Sequence, residues 1–147
     1  MGPLRRTLVA LLAAATMLFA VGVTAERSAG EDHAEPATVQ TGESGEEDER
    51  VLGVDVESTP LIVLAVVAGL GLAAAAATGL GRRRGFLVAV ALIALGWAAL
   101  DVRQVFHQLD EANTGIAVVA MVVAALHLAA AAVGGRLAQQ GRTASSG

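Results

Sequence analysis

The chain has no cysteine and no tyrosine, and no lysine either: all ten basic residues are arginine. The missing thiols exclude a disulfide framework, a zinc ribbon and a cysteine nucleophile. Aromatic residues are 3% of the chain and charged residues 16%, with a net charge of −4, so a basic, aromatic-studded nucleic-acid surface is excluded as well. Charge is scarce because apolar residues make up 54% of the 147 positions, with a mean hydropathy of +0.61. A soluble domain of this size has too little interior to hide that much apolar surface. The composition therefore implies an all-α integral membrane protein, with the lipid bilayer as its first partner.

Four apolar stretches run Leu8 to Val23, Leu61 to Leu80, Phe86 to Leu100 and Ile116 to Val133. At about 1.5 Å rise per residue, a hydrocarbon core of roughly 30 Å takes about 20 residues to cross. The second stretch meets that length outright and the fourth falls within the usual range. The third is short, but Val102, Val105, Phe106 and Leu109 continue it as one helical stripe. One helix is expected from Phe86 to about Ala112, spanning first and then protruding. Trp97 should lie at headgroup level. Asn113-Thr-Gly115 supplies residues that tolerate a left-handed stop. The expected spans are thus about 60–81, 86–106 (with the extension to 112) and 116–134, followed by a basic tail 135–147. Ser58-Thr59-Pro60 offers an N-cap and a first-turn proline to the first of them, and Gly79 and Gly81 mark its end.

Residues 1–25 resemble a secretory signal peptide: Arg5-Arg6, an apolar run, and Val23-Thr24-Ala25 before Glu26. Cleavage after Ala25 leaves three spans, whereas an uncleaved signal anchor makes four. Seven arginines (Arg5, Arg6, Arg82, Arg83, Arg84, Arg136 and Arg142) fall on one side if both termini and the 82–85 loop are cytoplasmic. That satisfies the positive-inside rule, and residues 26–58 and 107–115 are then extracytoplasmic. The signal-like start and short loops suit a bacterial cytoplasmic membrane. Eleven of the fourteen acidic residues lie between Glu26 and Glu57, against Arg27 and Arg50. Residues 26–50 lack apolar periodicity and are expected to be a disordered acidic segment. The domain proper is 51–147. Val51, Leu52, Val54 and Val56 form a short apolar patch, expected to lie at the interface or dock on the third helix, and too short to assign as a strand.

Within the spans, small residues repeat at four: Gly71-Ala75-Gly79, Gly69-Ala73-Ala77, Ala120-Ala124 and Ala125-Ala129. Such faces let helix backbones approach closely.

The densest polar cluster lies on the extension of the third helix, where Arg103, His107, Asp110 and Glu111 share one side with Gln104. A histidine among carboxylates there allows a pH-responsive or partner-docking surface, and a solvated face with weak i,i+4 pairs is the plainer reading. His127 is the one ionisable residue deep in an apolar stretch, which marks it as a functional candidate or as a histidine hydrogen-bonded to a neighbouring helix, with Thr78 as a candidate partner. All acidic residues, Asp101 included, are read as lying outside the spans. No phosphate loop, HExxH motif, Ser–base pair or intramembrane carboxylate pair is present, so no enzyme, metal or cofactor is expected. Two functions stay open: a non-enzymatic accessory protein meeting other membrane proteins or copies of itself, and an oligomeric transporter or channel component using His127.

Overall fold

The computed structural model describes residues 1–31, 50–51, 54–55, 59–110 and 112–143, nearly all of them helical. Helix α1 runs Pro3–Glu31, α2 Thr59–Ala77, α3 Arg84–Asp110 and α4 Thr114–Thr143. A 3-10 turn, Gly79–Arg82, joins α2 to α3. The helices form a row rather than a closed square, in which α1 packs between α2 and α4, and α4 between α1 and α3. Among the described residues, three segments are long and apolar enough to cross a membrane: Pro3–Ala25, Arg84–Asp110 and Thr114–Gln140. The chain is an all-α membrane bundle.

Two of these three spans are the expected third and fourth stretches, and the other is the N-terminal segment. Helix α2 spans Thr59–Ala77, 19 residues, and so ends four residues short of the expected 60–81 span. It stops at Ala77, ahead of the glycines, because its last carbonyls find partners outside the helix. Arg5 donates from Nε to the Ala76 carbonyl at 2.7 Å and from its terminal nitrogen to Ala77 at 2.6 Å and to Thr78. The Thr78 hydroxyl donates back to Ala75 at 2.7 Å, and Thr78 then caps the 3-10 turn. Helix C-terminal carbonyls have no partner within the helix, and an arginine also suits the negative end of its dipole. Gly81 has to be glycine for this cap, since a Cβ there would run into the Ala76 carbonyl and lie 2.9 Å from Arg5 Nε.

Helix α1 is continuous through Ala25 to Glu31, so the first residues of the segment expected to be disordered are helical. Residues 32–49 lie outside the described part. Arg50–Val51 and Val54–Asp55 pair as a two-residue antiparallel ladder, where the sequence was too short to assign a strand. Leu8 and Leu12 of α1 are fully buried against Ala73 and Ala76 of α2, Leu87, Val90 and Ala94 of α3, and Ala130 and Ala138 of α4. This core lies at the arginine-rich end. Of the two small-residue stripes on α2, the one in use starts at Gly69 and Ala73, both buried, and a Cβ on Gly69 would strike the Thr16 hydroxyl. Gly71 and Gly79 meet nothing within 4 Å.

The α3–α4 turn differs from expectation by a residue or more. The left-handed position is Ala112, at φ 58°, rather than Asn113 or Gly115. The Ala112 N–H donates to Leu109 at 3.1 Å and the Asn113 N–H to Gln108 at 2.9 Å, the paired bonds of a Schellman stop. Those two carbonyls fix which residue must turn, whatever its intrinsic tolerance.

Candidate functional site: an embedded aspartate–histidine pair

The buried positions of α3 are Leu87, Val90, Ala94, Ala98, Val105 and Gln108, with Asp101 half-buried between the fourth and fifth. Their steps of three and four average 3.5 residues, the repeat of a left-handed helix seam. Asp101 occupies a seam position, one heptad after Ala94. On α4 the facing seam carries Ala117, Ala124, His127, Ala130, Gly134 and Ala138. The two seams bring Asp101 Oδ2 to 2.6 Å from His127 Nδ1, with side chains 13% and 5% exposed. An ionised carboxylate only accepts, so Nδ1 carries the hydrogen and donates it, which leaves Nε2 as the second ring nitrogen.

Trp97, one turn before Asp101, sets its ring in edge contact with the imidazole, centroids 5.3 Å apart and planes at 61°. The indole was expected at headgroup level. It instead turns toward α4, where it covers a flank of the polar pair.

The pair lies deep. At about 1.5 Å per residue, α3 is roughly 40 Å long, and Asp101 stands roughly 25 Å from Arg84 and 14 Å from Asp110. With α3 centred on a hydrocarbon core of roughly 30 Å, the carboxylate lies about 10 Å inside the boundary nearer Asp110. The expectation that every carboxylate lies outside the spans is therefore corrected for Asp101. The expectation that Thr78 partners His127 is corrected too, because the Thr78 hydroxyl is turned to Ala75 at the opposite end of the bundle.

The extension of α3 is helical as expected, and its apolar stripe divides. Val102, Phe106 and Leu109 are exposed, Phe106 at 64%, while the face packed on α4 is Asp101, Val105 and Gln108. In a membrane the surrounding solvent is itself apolar, so an apolar stripe faces outward, and small and polar residues face the neighbouring helix. For the same reason α3 ends at headgroup depth, since roughly 40 Å matches a bilayer with its headgroups. Of the polar cluster on this extension, Arg103 and Asp110 are exposed and His107 is half-buried. Arg103 and His107 each engage a partner. Glu111 lies outside the described residues. The structure does not join this cluster to His127, which pairs one turn deeper.

Gln108 and Thr16 are buried polar residues that the sequence did not single out, and Gln108 is engaged rather than free. The signal for both Gln108 and Asp101 was the three-four step count from Leu87, which reaches each of them. Among the described residues no three His, Asp or Glu side chains gather as for a metal ion. Chemically, the pair can lock two helices together, or hold a proton between a carboxylate and an imidazole.

A row of apolar helices with polar groups turned inward defines a small helical protein of the membrane. No family model, curated protein or solved structure matches the chain.

Proposed function

We propose that this is a non-enzymatic membrane protein of the accessory or interaction type. Its α3–α4 hairpin is a rigid post that presents the outer polar face of α3, beside the acidic segment that joins α1 to α2, toward a partner in or on the same membrane. The closed Asp101–His127 contact supports this reading. Asp101 and His127 meet across adjacent helices with little surface left over, as a helix lock would. The acidic stretch gives the partner its chemistry: a basic surface. The arginine-rich ends of α1, α3 and α4 stand in the cytoplasm of a bacterial cell, and residues 26–58 and 107–115 lie outside.

Sidedness is tested with cysteines at Ala37, Ala112 and Gly85 and an impermeant thiol reagent on intact cells. The first two should label and the third should not, and labelling at Gly85 overturns the orientation. The interaction is tested by purifying the full chain from its native membrane beside a form with Glu46, Glu47, Asp48 and Glu49 neutralised. Partners that depend on the acidic segment should be lost from the second preparation, whereas identical partner sets contradict the proposal.

A second reading, a transporter or channel component using His127, gains one supporting observation: a carboxylate now stands at the depth of the histidine. Paired replacement by leucine, Asp101→Leu with His127→Leu, separates the two. Unchanged partner binding supports the post, and lost proton or solute flux in vesicles supports the path.

A further inference from the structure

At the arginine-rich end, a furrow of about 220 Å³ runs along α3 and α4, lined by Arg84, Val88, Ala91, Leu92, Gly135, Ala138 and Gln139. Arg84 opens α3 and Gln139 lies near the end of α4, so both polar groups stand at the mouth; Ala138 lies beside Gln139, and Val88, Ala91, Leu92 and Gly135 lie one to two turns further in, all apolar. The two glycines of α4 divide the work. A Cβ at Gly134 would lie 3.4 Å from the Ala91 methyl and the Leu87 carbonyl, so its absence allows the helices to approach. Gly135, one residue on, has nothing within 4 Å of the place its Cβ would take, so its absence keeps the furrow open. Arg82, Arg83 and Arg136, all exposed, keep the surroundings positive.

The furrow is smaller than the roughly 300–1,000 Å³ of small-molecule pockets, and it is an open channel in a wall of apolar side chains. A soluble substrate does not fit that description. A charged mouth over an apolar floor matches a molecule with an anionic head and a hydrocarbon tail, and basic recesses between spans are a recognised place for acidic headgroups. We infer that this furrow binds one anionic phospholipid, its phosphate held by Arg84 and Gln139 and one acyl chain lying over Gly135.

The experiment measures lipid retained on the full chain by native mass spectrometry from detergent, with phosphatidylglycerol, phosphatidylcholine or inorganic phosphate added. Phosphatidylglycerol should be retained as a single adduct and the other two should not. Equal retention of phosphatidylcholine overturns the headgroup assignment, and displacement of the lipid by equimolar phosphate reduces the site to an ion site. Arg84→Gln should weaken retention about fivefold, the worth of one arginine at a membrane surface. Arg82→Gln removes the same charge outside the furrow and should change retention less than twofold. Gly135→Leu fills the floor and should abolish the adduct, while Gly71→Leu, at an equally open position on α2, should leave it. Equal effects of the two arginine variants, or an adduct that survives Gly135→Leu, overturn the proposal. If Gly135→Leu fails to fold, the arginine comparison decides alone.

Discussion

Removing one member of the Asp101–His127 pair should cost more than removing both. In His127→Leu the carboxylate keeps its place on the α3 seam but loses its donor. A lone aspartate near the centre of a span carries a penalty of roughly 2.5–3.5 kcal/mol on insertion scales. In Asp101→Leu the imidazole loses one hydrogen bond, a loss of about 1–2 kcal/mol. The double leucine variant leaves neither a stranded charge nor an unpaired nitrogen, and apolar replacement of a buried pair is often neutral or stabilising. The order of stability should be wild type or double variant first, then Asp101→Leu, then His127→Leu, with a coupling of at least about 2 kcal/mol. Polar pairs between membrane helices average about 0.6 kcal/mol, so a coupling this large reports the stranded charge rather than the bond alone. Unfolding in mixed dodecylmaltoside–SDS micelles reads this out through Trp97, the sole tryptophan, whose ring touches the imidazole. Single losses that simply add in the double variant, or a His127→Leu no less stable than Asp101→Leu, would refute the reasoning.

Three further outcomes follow from the packing. Ala112→Gly should raise stability by about 0.5–1 kcal/mol, because Ala112 holds a left-handed backbone that glycine adopts without penalty, and the unfolding midpoint in the same micelles measures it. Gly69→Ala should loosen α1 from α2 by forcing a methyl onto Thr16, and Thr16→Ala in the same chain should restore much of the loss; failure of that rescue would show that the two residues do not meet. Protein purified from membranes should retain Met1 to Ala25, because Leu8 and Leu12 fill the core and Arg5 closes the end of α2, and a mature mass beginning at Glu26 would contradict that.

The spans and the α3–α4 hairpin were legible because a run of uncharged residues has few alternatives to a helix in lipid. The seam was not, because the extension of α3 was read as protruding beyond the bilayer, and its face toward α4 was not followed through Asp101. The aspartate follows the last uninterrupted apolar residue, Leu100, so its charge looked like the end of the span rather than a step on the face packed against α4. His127 was found because no charge stands near it in sequence, but its partner is 26 residues away and only the antiparallel turn brings them together. The Arg5 cap lay beyond reach for a similar reason, since it joins residues more than seventy positions apart. The small-residue stripes could be enumerated but not ranked, because an alanine-rich helix offers several equivalent faces and the choice rests on its neighbour.

The order of the row also bears on how the chain is made. Helix α4, synthesised after α1, α2 and α3, belongs inside the row, between α1 and α3. Asp101 therefore emerges without its acceptor-matched histidine, and at about 5–20 residues per second the 26 residues to His127 take roughly 1–5 s to synthesise. During that interval the nascent α3 has a reason to linger beside the translocation channel rather than partition into lipid. Release of α3 and arrival of α4 then become a single event, so a ribosome stalled between the two residues would strand a half-built hairpin for quality control to remove.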